Sequence, residues 1–276
     1  MAHDRVHRAG APEFYEWLAP IYDDLYNAID VEEAVRQWRI LLRRVARLPR
    51  AHHPRPRLLD LGCGTGRYLA EWATSGFDVT GVDASRSMVT RARRRAKTVR
   101  LGISVPAVVH GDLRHEIRRL RPRGPFDVAV AHFNFLNLFT LEEVTLVLSG
   151  LAPAMADGGF LFAECAPPGL AAGDASETIT LASGAALTIT TASGTGGGRI
   201  IRMYRRGRST QAEMYHLHSS VQLRRAARAA GWRLERAVEW RPERARAPWS
   251  FSRTAPDRHR VYVLRPLSAP PVQRHS

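Results

Sequence analysis

The stretch LLDLGCGTGRYL, from Leu58 to Leu69, constrains this chain more than any other. An apolar run followed by Gly62, Gly64 and Gly66 reads as a buried strand that enters a tight turn and then a helix. Glycine at these positions lets the backbone turn sharply and approach a ligand closely. The units that follow repeat the strand–helix theme. RYLAEWATSG is a helix closed by Gly76, DVTGVD is a strand, and Ser85 stands as N-cap before the helix RSMVTRARRRA. AVVHGD and FDVAVAHF are further strands, LEEVTLVLSGLAPAM a helix, and GGFLFAE a fifth strand. Alternation with short loops predicts a parallel sheet covered on both faces.

The flanks differ. Residues 11–48 place Phe14, Trp17, Leu18, Ile21, Tyr22, Leu25 and Tyr26, then Val35, Trp38, Leu41, Leu42 and Val45, at helical spacing, with a break expected at Pro20. Residues 166–215 are rich in Gly, Ser and Thr and alternate in period two, as antiparallel strands joined by the turns SGAA and SGTGGG would. The helix SSVQLRRAARAAGW and the strands RLERAVEW and RVYVLRP then complete the sheet. The expected architecture is α/β: a doubly wound, mostly parallel, seven-stranded Rossmann-like sheet with an N-terminal helical cap and a small antiparallel β insertion. Its parts are a cap (1–54), a Rossmann-like core (55–165), a β-rich insertion (166–215), a C-terminal completion of the sheet (216–266) and a disordered tail (267–276). Cap and insertion can meet over the carboxyl ends of the strands, where open α/β sheets bind ligands.

The spacing of the loop narrows the ligand. A dinucleotide fingerprint is G-x-G-x-x-G and a Walker loop needs Gly-Lys-Ser/Thr; this G-x-G-x-G is neither. Asp60 beside the loop would repel a pyrophosphate and suits the ammonium of an amino acid. Asp83, 21 residues after Gly62, ends the second strand, where a carboxylate accepts from both ribose hydroxyls. Asp112 ends the third, placed to meet an adenine amino group. A cationic amino acid, a ribose and an adenine together make S-adenosylmethionine.

With LLDLGCGTG, VTGVDAS, HGDLR and PFDVAVAHFNFLNLF in those positions, residues 55–165 resemble class I S-adenosylmethionine-dependent methyltransferases. The resemblance implies that Asp60 and the loop of Gly62, Cys63, Gly64 and Gly66 cradle the methionine part. It also implies that Asp83 with Ala84 binds the ribose, Asp112 and Leu113 meet the adenine, and His132 begins the wall facing methionine and acceptor. The N-terminal EFYEWLAPIYDDLYNAIDVEEAVRQW is similar to that of glycine/sarcosine and amino-sugar N-methyltransferases, which also insert strands after strand five as a lid. AHFNFLNLF departs from the Asp-Asn pair of many relatives.

Methyl transfer is an in-line displacement, so the acceptor needs positioning and, for a phenol, alcohol or carbon, a general base. Glu164 at the end of strand five, His132 after strand four and Tyr22 of the cap are the expected catalytic residues. Asn134, Asn137, His216, His218, Tyr15 and Tyr26 are further residues that the topology carries toward the pocket. Cys63 reads as a small apolar packing residue, not a nucleophile, and no cluster has metal spacing.

The expected partner is a small-molecule acceptor in specialised metabolism, methylated on nitrogen, with O-, C- or RNA methylation as alternatives and a homodimer left open. The net charge of +15 invites nucleic acid, but every basic residue except Lys97 is arginine and the arginines are spread widely, as compositional bias would leave them. The Pro-Pro-Tyr-type motif of base N-methyltransferases is missing after strand four. Two distant cysteines, a polar N-terminus and no long apolar run point to the cytoplasm and away from a membrane.

Overall fold

The structure, a computed structural model, describes residues 5–7, 10–27, 29–45, 54–99, 104–168, 175–193, 198–240 and 259–267. The tail from 268, residues 46–53 at the end of the expected cap and the centre of the SGTGGG turn lie outside them.

The chain begins with a two-residue strand, β1 (Arg5–Val6), and helix α1 (Pro12–Leu18). Pro20 cannot donate to a helical ladder, and the path tightens there into a 3₁₀ turn, Ala19–Ile21, before the single turn α2 (Tyr22–Leu25). Asp30 then opens α3 (Val31–Val45) by accepting from the Glu33 amide at 3.0 Å. The core follows as β2 (Arg57–Leu61), α4 (Leu69–Thr74), β3 (Asp78–Asp83), α5 (Arg86–Ala96), β4 (Ala107–His110), β5 (Phe126–Ala131), α6 (Leu141–Leu151) and β6 (Met155–Cys165). Ser85 caps α5 by accepting from the Met88 amide, and Thr140 with Glu143 makes a capping box on α6. Four strands come next: β7 (Ala175–Thr180), β8 (Ala186–Ser193), β9 (Arg199–Arg206) and β10 (Ser209–His216). Helix α7 (Ser220–Ala229), β11 (Trp232–Trp240) and β12 (His259–Pro266) end the described chain.

Among the described residues, seven strands form one sheet in the order β11-β12-β6-β5-β2-β3-β4. The five strands from β6 to β4 are parallel, and β12 and β11 close the edge antiparallel. All six residues of β5 are buried, as in a parallel strand covered on both faces. Neighbouring residues split between the two cores. Leu59 faces α6 and α7; Leu58 faces α4, α5 and the Val35/Trp38/Leu41/Leu42 stripe of α3. The strand order reverses between β5 and β2, so the crevice lies beyond their carboxyl ends.

The second sheet runs β1-β10-β9-β8-β7. Its β7–β10 part is antiparallel, and β1 adds to β10 in parallel. Gly207, at φ +59°, turns β9 into β10 with Arg208, a hairpin the sequence reading did not single out. Leu187, Ile189 and Tyr204 of its inner face pack on Phe14, Leu18, Ile21 and Leu25. The N-terminal helices therefore divide their contacts: α1 and α2 join the small sheet, while the apolar stripe of α3 belongs to the main core.

Candidate active site

The glycine loop leaves β2 with Gly62, Gly64 and Gly66 all left-handed, at φ +68°, +55° and +78°. A Cβ at Gly62 would stand 2.5 Å from the Phe135 ring, and one at Gly66 would stand 2.9 Å from Ala92 of α5. These two glycines permit close packing. Gly64 has room, with the Tyr22 ring 3.7 Å from where its Cβ would be.

Asp83 ties this loop to the next helix. One carboxylate oxygen accepts from the Gly64 amide at 2.9 Å and the other from the Ser85 amide at 2.8 Å. Burial still pushes its pKa up to about 6. Beside it Glu16 of α1 reaches the start of α5, accepting from the Ser85 hydroxyl at 2.9 Å and the Ser87 amide at 3.1 Å. A carboxylate at a helix N-terminus is favourably placed, and here it fastens the cap to the core.

Between cap and core opens a cleft of about 750 Å³, its mouth included. Asp83, Ala84, Asp112 and Leu113 line it together with Tyr15, Tyr22, His132 and Phe133. β4 stops at His110, so Asp112 sits two residues beyond the strand rather than at its end. Its carboxylate is gripped by Arg114, through Nε at 2.9 Å and Nη2 at 2.6 Å. Arg114 also touches Glu143 and the Gly10 carbonyl.

Past Gly62 and His132 the cleft meets a second chamber of about 340 Å³, its open side included, lined in part by Asp60, Cys63, Arg67, Tyr26 and Tyr68. Asp60 is 2% exposed, and burial, then the charge of Asp83, drives its pKa up to about 8. On the same wall Arg67 has a buried Nη1 with no hydrogen-bond partner. A carboxyl without a counter-ion and a guanidinium with a spare donor make a receptor for a zwitterion. Burial also pushes the Cys63 thiol well up, consistent with a packing role.

The expected catalytic trio is only partly assembled. Tyr22 and His132 line both chambers; Glu164 lines neither. Burial and the nearby Asp83 push the Tyr22 phenol far above its ordinary value, so it is a hydrogen-bond donor at neutral pH. His132 stacks on Tyr68 at 4.6 Å and meets the edge of Trp38 at 4.7 Å, and burial lowers its pKa to about 4. Its Nε2 lies 3.4 Å from Trp72 Nε1, which can only donate. That assigns the imidazole proton to Nδ1, which is buried without a partner. Glu164 lies behind this wall. It accepts from the Phe133 amide at 3.2 Å and faces His259 Nδ1 at 2.6 Å. Burial opposes its ionisation, but the His259 contact and charge hold its pKa below the usual carboxylate range.

Glu164 supports a strained turn. Phe133 and Asn134 are both left-handed, at φ +52° and +59°, a conformation that costs non-glycine residues and recurs at functional sites. From the other side Asn137 accepts from the Ala166 amide at 2.9 Å and donates to the carbonyls of Ala166 and His216. It joins the ends of β6 and β10. His216 and His218 stack on each other outside the cleft lining.

Residues 58–159 match the family described as Methyltransferase domain. The cypemycin N-terminal methyltransferase of a Streptomyces species is 32% identical over 183 residues, which is 63% of this chain and 71% of that protein. The chain belongs to the S-adenosylmethionine-dependent methyltransferases. The methyltransferase also shares its fold with DesVI of Streptomyces venezuelae, at a TM-score of 0.65 and 22% identity over 90% of this chain and 98% of that one. A further likeness is to CalS10, an amino pentose methyltransferase from Micromonospora echinaspora, at a TM-score of 0.62 and 19% identity over 88% and 96%. The cofactor fits the chambers of this methyltransferase. Asp60 and Arg67 on the second chamber carry groups complementary to an ammonium and a carboxylate, and Asp83 and Asp112 line the neighbouring cleft. Among the described residues, no helix is long and apolar enough to cross a membrane.

Arg67, Glu16, Arg114 and His259 did not emerge from the sequence reading. Arg67 directly follows the third loop glycine, a signal that was present. Glu16 and His259 act across the fold on residues 69 and 95 positions away and had none.

Proposed function

We propose that this methyltransferase places a methyl group on the amine nitrogen of a small molecule of specialised metabolism, working in the cytoplasm. One observation carries the reading: the two expected catalytic groups that line both chambers are weak bases. Tyr22 stays protonated, His132 stays neutral with a pKa of about 4, and Glu164 is tied to His259 behind the wall. A nitrogen brings its own lone pair, whereas a phenol or alcohol needs a stronger base in contact with it. The name of the cypemycin N-terminal methyltransferase supports the same reading.

S-adenosylmethionine, when bound, supplies a methyl group activated by its sulfonium sulfur. Asp60 and Arg67 hold its ammonium and carboxylate, the loop at Gly62, Cys63, Gly64 and Gly66 its methionine chain, Asp83 and Ala84 the ribose, and Asp112 with Leu113 the adenine. Tyr22 and the Nδ1–H of His132 orient what enters beside them, and the small sheet acts as the lid. Orientation of this kind is worth about 7–11 kcal/mol. The test is incubation with labelled cofactor and a panel: an amino sugar, a peptide with a free N-terminus, a phenol and an RNA. Label on an amine is expected; label on the phenol or RNA with none on amines refutes the proposal.

A further inference from the structure

Glu213 has no part in the site described so far. It sits on the inner face of β10, 1% exposed, beneath α1. Tyr215 donates to its Oε2 at 2.8 Å. Its other oxygen, Oε1, is buried with no hydrogen-bond partner. Buried carboxylate oxygens are normally satisfied, because leaving one bare is costly. The Tyr15 hydroxyl bears on the same carboxylate, and Tyr15 lines the cleft. So a tyrosine that lines the cleft is backed by a buried carboxylate on the inner face of β10.

We propose that Glu213, through the Tyr15 hydroxyl, is the exit by which an ammonium acceptor loses its proton before methyl transfer. The inference rests on the amine reading above and names how that amine becomes reactive. In the step, the N–H bond of the ammonium breaks and its proton joins the Tyr15 oxygen, while the Tyr15 O–H proton passes to Glu213 as a carboxyl proton. Tyrosine is regenerated, the nitrogen keeps its electron pair, and charge is conserved: cation and carboxylate become neutral amine and neutral acid. The lone pair then forms the N–C bond as the S–C electron pair remains on sulfur. Tyr15 touches the acceptor; Glu213 is a positioning residue that acts through it.

The surroundings suit this traffic. Burial raises the Glu213 pKa to about 7, against the hydrogen bonds of Tyr15 and Tyr215 and the charge of Arg202. The ionisable groups facing it are Tyr15 from α1, Tyr26 from the end of α2, Arg202 and Tyr204 from β9, and Tyr215 from β10. Burial pushes all four of these phenols upward, and Arg202 stays charged, so near neutral pH only Glu213 among them changes state.

The test uses the full chain and the amine of the panel that wild type methylates fastest. Glu213→Gln should lower kcat/KM about 100-fold at pH 7, remove the rise in the kcat/KM profile centred near pH 7, and leave affinity for S-adenosylhomocysteine within about twofold. Glu213→Asp should restore part of both the rate and the limb. Tyr15→Phe should reproduce the Glu213→Gln profile, and the double variant should be no worse than either. A Glu213→Gln enzyme within about threefold of wild type, with the limb intact, overturns the proposal. If Glu213→Gln does not fold, Tyr15→Phe decides on the same criterion. Wild-type transfer to no amine refutes the amine reading and this relay together; transfer to amines with unaffected variants refutes the relay alone.

Discussion

Replacing Asp60 by asparagine should make the cofactor-free protein progressively more stable than wild type as pH rises, while destroying its affinity for cofactor. The carboxyl is buried with a folded-state pKa of about 8 against an ordinary value of 3.8. Between those values the folded protein holds a proton that the unfolded chain has released, so wild-type stability falls as pH climbs and levels off above about 8. The slope is about 1.4 kcal/mol per pH unit, hence about 2.7 kcal/mol between pH 5 and pH 7. Asparagine does not titrate, and whatever its amide costs in that pocket is the same at both pH values. At about 2–4 °C per kcal/mol for a chain of this size, the melting-point difference between variant and wild type should widen in the variant's favour by about 5–11 °C from pH 5 to pH 7. Thermal melts of both proteins with and without saturating S-adenosylhomocysteine measure it. The ligand's ammonium should stabilise wild type strongly and the variant hardly at all, since the lost charge pair is worth about 2–5 kcal/mol. A difference that stays constant from pH 5 to pH 7, or full ligand protection of the variant, would refute the reasoning.

Three further outcomes follow from contacts in the site. Arg67→Gln should weaken S-adenosylhomocysteine binding about 10- to 100-fold by calorimetry with little change in melting temperature, because Nη1 has no protein partner to lose. Gly62→Ala should cost about 2–4 kcal/mol in denaturant melts and abolish binding, since its φ of +68° is strained for alanine and the new methyl meets Phe135; a variant within 1 kcal/mol of wild type would contradict this. His259→Asn should destabilise by about 3–5 kcal/mol at pH 7 by leaving the buried Glu164 carboxylate without the His259 ring it faces at 2.6 Å. That loss should shrink as pH falls below the usual carboxylate range, where Glu164 takes up a proton in both proteins, and a pH-independent loss would count against the pair.

The cofactor half of this protein is written locally. Three glycines one residue apart after an apolar strand can only be a left-handed turn, and the carboxylates Asp60, Asp83 and Asp112 come at or within two residues of strand ends because the βα repeat delivers them there. Short-range pattern and short-range geometry coincide, so the main fold and the identity of the cofactor are legible from the sequence. The acceptor half is not, because its chemistry is made by contacts between distant segments. Glu164 has a strand-end position that suggests a base, yet His259 and the Phe133 amide occupy it. Glu213 reads as one polar residue in an alternating strand, and only the packing of α1 against β10 sets it behind Tyr15.

The sequence by itself determined the parallel sheet, the crevice and the ligand that fits it, since periodicity and spacing act over a few residues. The tertiary structure decided which side chains keep a free valence. Whether a buried carboxylate, imidazole or guanidinium is spent on a neighbour or left for a substrate depends on partners that the chain order does not place side by side.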